Sequence, residues 1–293
     1  MPKTILITGA TEGLGLETAR NLVLARHAVI LQGNTSERLH EVARALSALP
    51  GAQSVNHYVA NLCDLDQVEA LASNVLRDHE RLDVLVNNAS LITDASCCRL
   101  GLDPRFVVNT IAPYRLALRL LKRLGEGGRV VNVSSAAKNS VDLQALCGAR
   151  KLSDIDAYTQ SKLALTMWSR HLARTVGRRG PVILAVNPGL ASVENSRDLE
   201  LTRVRDGAAA LARAVLSSDF SDASGLYFDT SRRCFSSPHP DAYDPHLCAE
   251  IVRAIDPLGM PLEGESSHLE PNHIAGHRPA EADIETLRHH AWV

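Results

Sequence analysis

Long apolar runs and a marked excess of one charge are both missing from this chain of 293 residues. No stretch approaches the ~18 consecutive apolar residues that a membrane-spanning helix requires. A secretion signal is missing too: Met1 to Ala10 passes straight into a strand-like run, without the basic, apolar and small-residue zones of a leader. These absences make a cytoplasmic protein the expectation. With 31 Lys and Arg against 33 Asp and Glu, the net charge of −2 excludes a strongly basic nucleic-acid binder. The six cysteines (Cys63, Cys97, Cys98, Cys147, Cys234, Cys248) have no metal-ligand spacing, and in a reducing compartment they read as free thiols. What is present is apolar material, 45% of the residues against 22% charged, which supplies a sizeable core and excludes general disorder.

That material recurs as short Ile, Val and Leu runs between segments of helical periodicity, the pattern of a parallel sheet covered on both faces. Strands are predicted at Thr4 to Thr8, Ala28 to Gln32, Val55 to Ala60, Asp83 to Asn87, Arg129 to Ser134, Val182 to Asn187 and Gly225 to Asp229. Helices are expected from near Leu14, Ser36, Asp66, Pro104, Asp156 and Glu200; Ser36 before Glu37 reads as an N-cap, and Pro104 suits a first helical position. The fold class is therefore α/β, a doubly wound, Rossmann-like parallel sheet of seven strands. Residues 1–235 form its single domain. Composition changes after that: from Phe235 to Val293 there are three Arg and no Lys against ten Asp and Glu, with seven prolines and seven histidines. Residues 236–293 are thus expected to be an acidic extension with one short helix, Pro245 to Ile255. Within it His273 and His277 have same-face spacing, but Pro271 and Pro279 interrupt any helix, so no metal site is expected. There is no internal repeat.

The first strand ends in Thr8-Gly9-Ala10-Thr11-Glu12-Gly13-Leu14-Gly15, with a helix at once behind it. One glycine lets the chain turn off the strand, another admits a pyrophosphate to the backbone, and the last lets helix pack on strand, so a dinucleotide is expected at the helix N-terminus. Further on, Tyr158 and Lys162 lie four apart at the start of a predicted helix and share a face. Bringing a phenol of pKa about 10 near neutrality takes about 4 kcal/mol of preferential stabilisation of its anion. A neighbouring ammonium, helped by an oxidised nicotinamide, is a charge of the required kind.

These motifs, with Asn87-Asn88-Ala89, Asn109, Asn132-Val133-Ser134-Ser135 and Asn187-Pro188-Gly189 in the same order, resemble the classical short-chain dehydrogenases/reductases over residues 3–235. Tyr158 lies 23 residues beyond Ser135, and this long gap, with the run Ala157 to Ala164, looks like the retinol-dehydrogenase-like bacterial branch. The resemblance implies that Tyr158 is the general acid/base, that Lys162 lowers its pKa and holds the nicotinamide ribose, and that Ser135 binds the substrate oxygen. It implies that Asn109 holds a water linking Lys162 to solvent. Ser134 is expected to be a satisfied strand-end hydroxyl. Gly9, Thr11, Glu12, Gly13, Leu14, Gly15, Asn34, Asn61, Leu62, Asn88, Ala89, Pro188 and Gly189 are implied to surround the cofactor, together with Tyr158 and Lys162. Homodimers or homotetramers built on two helices, Pro104 to Leu124 and Asp156 to Val176, are implied as well.

Four positions depart from the family pattern. The second strand ends in Gln32-Gly33-Asn34 with no carboxylate to bind a ribose 2′-hydroxyl, which favours NADP over NAD, with Arg38 as a candidate for the 2′-phosphate. Asn61 replaces the usual Asp near the adenine, Ser90 replaces a Gly, and Ser192-Val193 displaces the usual hydroxyl beyond Gly189. The insert Ala136 to Ile155 is expected to border the substrate entrance, and Cys97-Cys98 reads as two small loop residues. The function expected is hydride transfer between a nicotinamide and a small, lipophilic carbonyl or secondary alcohol, chiefly as an NADPH-dependent reductase. The alternatives are a silent dinucleotide-binding regulator and an epimerase or dehydratase with transient redox.

Overall fold

The computed structural model describes residues 1–92, 101–136, 139–190 and 197–256. Eight strands form one sheet in the order β3-β2-β1-β4-β5-β6-β7-β8: β1 (Thr4–Ile7), β2 (Ala28–Gly33), β3 (Val55–Val59), β4 (Val84–Asn87), β5 (Arg129–Val133), β6 (Val182–Asn187), β7 (Tyr227–Asp229) and β8 (Cys234–Phe235). The first seven run parallel, in the order expected of a doubly wound sheet; β8 was not expected and pairs antiparallel with β7. Two residues are too short to show periodicity. The central strands are near-continuous apolar runs because both faces are covered, whereas the edge strand β3 is only partly buried and carries Asn56 and His57. Ile5, Ile7, Val84, Val86, Val131 and Val133 face one core with α1 (Gly13–Leu24), α2 (Ser36–Ser47) and α8 (Arg197–Leu216). The intervening residues Leu6, Leu85, Val130 and Ile183 face the other, with α3 (Leu65–Asp78), α5 (Ala112–Leu124) and α7 (Asp154–Val176).

β1 has β2 on one side and β4 on the other, and their following helices lie on opposite faces. A crevice therefore opens at the C-terminal ends of β1 and β4, where such sheets bind ligands. The helix expected from Pro104 to Leu124 is not continuous: α4 (Pro104–Phe106) passes through a π-helical turn, Val107–Ile111, before α5 begins. Part of the expected insert forms α6 (Leu143–Leu146), whose Ala145 and Leu146 are buried.

The last described helix, α9 (Pro245–Ile255), buries Cys248, Ile251 and Ile255 in the core shared with α7. The Tyr114 hydroxyl donates to the Asp256 carboxylate at 3.2 Å, and the Arg170 guanidinium lies 4.4 Å from the Tyr243 ring centre. As a result every residue of α7 from Ser161 to Arg170 is buried within one chain, Trp168 included. The chain's own C-terminal helix covers this flank of α7. No described helix is long and apolar enough to cross a membrane. Cys97-Cys98, Ser192-Val193, the histidines from His268 on and Trp292 lie outside the described residues, as do 257–293 as a whole.

Candidate active site

The glycine turn after β1 has the shape the sequence requires. Gly9 adopts φ +62°, a left-handed conformation natural to glycine, and a Cβ there would come within 2.8 Å of Ala89 Cα. A Cβ on Gly15 would collide with the Gly9 carbonyl and the Asn88 amide. At Gly13, by contrast, an added Cβ meets nothing within 4 Å, so the outer side of the turn is open. No side chain caps the N-terminus of α1 and no acidic residue sits in its first turn. Exposed main-chain amides at a positive dipole end, over open space, fit a pyrophosphate.

The turn is braced by residues with quite different apparent roles in the sequence. Gln32, at the end of β2, accepts from Gly9 N–H at 2.9 Å and donates to Ala60 O at 2.7 Å. The absent carboxylate is thus replaced by a buried amide that ties three strand ends together. Asn88 donates to Thr8 O and Gly9 O at 2.8 and 3.0 Å, while the Thr8 hydroxyl accepts from Asn88 and Ala89 N–H at 3.0 Å each. Asn88 and Ala89 therefore shape the loop. Thr11 packs its methyl toward Gly33, Glu12 is exposed, and Leu14 is buried. Asn34 is exposed; Arg38 is exposed as well and lies 2.7 Å from Glu41. Asn61 turns its Oδ1 onto its own chain, accepting from Cys63 N–H at 3.0 Å. Leu62 was implied as a cofactor contact, but its side chain is buried in the core, so it presents main chain only. Pro188 is buried, and Gly189 N–H is held by Asn187 Oδ1 at 3.1 Å.

On α7 the Tyr158 phenol meets the hydroxyls of Ser90 and Ser135. Burial is the largest influence on it and holds its pKa above the usual value, while the two serines pull the other way. Lys162 is fully buried with its Nζ donating to Val133 O at 2.8 Å, and burial brings the amine down to about 7. The two serines after β5 separate as expected: Ser134 Oγ lies 2.7 Å from Thr166 Oγ1 and donates to Lys162 O at 3.1 Å, whereas Ser135 faces the phenol.

Asn109 sits in the π-helical turn, a distortion common at functional sites. Its Oδ1 accepts from Leu91 N–H at 2.8 Å and its Nδ2 donates to Leu91 O and Ser161 Oγ, both at 2.9 Å. Both side-chain donors are thus engaged in joining the segment after β4 to α7. Two further residues escaped sequence reading. Ser90 counts there as a small replacement for glycine. Arg105 is buried and pairs with Asp103 at 2.7 Å and with Asp154, in the first turn of α7 one turn before Tyr158. Gln160 Oε1 accepts from Asp142 N–H at 2.8 Å and so fastens the insert to the same helix.

Phenol, serine and buried amine stand at the C-terminal edge of the sheet, beside a turn shaped for a dinucleotide. The family model for short chain dehydrogenases matches residues 3–203. Human retinol dehydrogenase 13 is 26% identical over 277 residues, covering 85% of this chain and 82% of that protein. A structure of an uncharacterised protein from Mycobacterium paratuberculosis superposes with a TM-score of 0.72 at 25% identity, covering 88% and 95% of the two chains. A Burkholderia cenocepacia short chain dehydrogenase in complex with NADP does so with a TM-score of 0.61 at 26% identity, covering 78% and 95%. The molecule is an oxidoreductase acting on alcohols or carbonyls. More narrowly, the chain belongs to the short-chain dehydrogenase family, among members similar to retinol dehydrogenases.

Proposed function

We propose that the protein reduces a small, lipophilic ketone or aldehyde with NADPH, Tyr158 delivering the proton. The observation that carries this reading is the contact of the Tyr158 phenol with Ser135 at the edge of the sheet that also bears the glycine turn. When bound along that turn, the nicotinamide dinucleotide supplies the hydride in reduction and accepts it in oxidation. Ser135 donates a hydrogen bond to the carbonyl oxygen and Tyr158 transfers its proton to that oxygen as the alcohol forms. Burial keeps the phenol protonated at neutral pH, which suits the reductive direction. Asn109 and Arg105 hold α7 so that the phenol keeps its place. Gly9, Gly13, Leu14 and Gly15 would hold the pyrophosphate, Pro188 and Gly189 would border the carboxamide, and Lys162 would meet the ribose.

Three observations support NADP. Gln32 replaces the carboxylate that would repel a 2′-phosphate. Exposed Asn34 follows it. Two similar solved structures are complexes with NADP. A lipophilic substrate body is supported by the exposed side chains of Ile92, Ile155 and Leu190, each close in sequence to a site residue. The test is Tyr158→Phe: turnover of a ketone panel is expected to fall at least a hundredfold, the range for loss of an acid/base group, with NADPH affinity nearly unchanged. Retention of most activity overturns the assignment. Binding of NADPH by the wild-type protein without its consumption on any ketone or aldehyde would favour a silent regulator.

A further inference from the structure

Ser135 has a second neighbour besides the phenol. Together with Leu163 it forms one wall of a cavity of about 280 Å³, near the lower end of small-molecule sites. The lining also includes three polar groups: Asp229 at the end of β7, Arg232 in the turn behind it, and His239 in the segment leading to α9. Asp229 Oδ1 is engaged by Ser231 N–H at 2.9 Å, but its Oδ2 is loosely paired, 3.9 Å from Arg232 Nε. His239 Nδ1 accepts from Asp241 N–H at 3.3 Å, which leaves Nε2 as its ring donor.

A hydrocarbon tail drawn into this space would strip water from the half-buried Asp229 carboxylate and return nothing, a cost of about 1–3 kcal/mol. A carboxylate or phosphate would face Asp229, and an ammonium would face Arg232. A hydroxyl meets none of these objections, because it both donates, to Asp229, and accepts, from Arg232 or His239. We propose that this cavity is the far end of the substrate site and selects carbonyl compounds that carry uncharged hydroxyl groups a few carbons from the reacting carbon. The inference rests on the oxidoreductase reading above and refines the lipophilic substrate: an apolar body with a hydroxylated end, its carbonyl oxygen at Ser135.

A matched pair tests it. Initial rates with the full chain and NADPH are measured on 2-octanone and on 7,8-dihydroxyoctan-2-one, then repeated with Arg232→Leu, an exposed position. The expected result is a kcat/KM at least tenfold higher for the dihydroxy ketone, with that ratio falling severalfold in the variant. Equal rates, or a preference for 2-octanone, overturn the inference and leave carbonyl reduction standing. So does a tenfold preference that Arg232→Leu leaves intact, since the hydroxyls are then recognised elsewhere. If neither ketone is consumed while NADPH is bound, the oxidoreductase reading fails and this inference with it.

Discussion

Replacing Lys162 by Met should make the cofactor-free protein more stable while destroying its activity. The amine is fully buried, and its own pKa of about 7 stands against an ordinary value of 10.5. At about 1.36 kcal/mol per pKa unit, native Lys162 costs about 5 kcal/mol at pH 6, where the buried amine is charged. At pH 9 the native amine is already neutral while the unfolded one is still mostly charged, and the cost shrinks to about 2 kcal/mol. Met is of similar length and uncharged; it forfeits the hydrogen bond to Val133 O, worth about 1 kcal/mol. The variant should therefore gain about 4 kcal/mol at pH 6 and about 1 kcal/mol at pH 9. At about 2–4 °C per kcal/mol for a domain of this size, the gain at pH 6 is a Tm increase of about 8–16 °C. Thermal melts of both proteins without cofactor, followed by circular dichroism at the two pH values, supply the comparison, and other titrating groups cancel in it. A variant less stable than wild type at both values, or a difference independent of pH, would refute the reasoning.

Ser90→Ala removes one of two hydroxyls that favour the Tyr158 anion, so the alkaline rise of alcohol oxidation should move to higher pH; an unmoved pH–rate profile excludes the contact from catalysis. Gly15→Ala drives a Cβ into the Gly9 carbonyl, and the expected loss is more than tenfold in NADPH affinity with about 1–3 kcal/mol of stability, read by fluorescence titration and melting. Acid should weaken the fold below about pH 6.5: burial lowers the pKa of His27, His57, His79 and His171, so the unfolded chain takes up protons first. At His27 the sign is visible in a bond, because Nδ1 accepts from Lys3 N–H at 3.0 Å only while unprotonated. His27→Gln should therefore flatten the fall in Tm between pH 7.5 and 5.5, and an equally steep fall in the variant would contradict this.

How far the sequence could be read depended on the range of the interaction. Most of the seven parallel strands were legible because burial on both faces makes them near-continuous apolar runs, the partly buried edge strand Val55–Val59 being an exception, and each begins and ends within two residues of its predicted limits. The separation of Ser134, bonded to Thr166 and Lys162 O, from Ser135 matches the strand-end reading of Ser134. The π-helical turn was not, because Val107–Ile111 keeps the apolar pattern of an ordinary helix while shifting one hydrogen bond register. Gln32, Ser90 and Arg105 depend on partners far along the chain, Asp154 lying 49 residues beyond Arg105. Nothing local to them marks the role. The charge of Lys162 is set by burial depth, which spacing alone does not encode.

The position of α9 bears on the order of events during synthesis. The helix that carries the phenol has one flank walled by Cys248, Ile251 and Ile255, the last of the described core residues to leave the ribosome. A nascent chain stalled near residue 240 therefore holds every motif of the site yet leaves Trp168 and its neighbours wet. Emergence of α9, not of the catalytic segment, is the moment at which the packing around α7 can be completed.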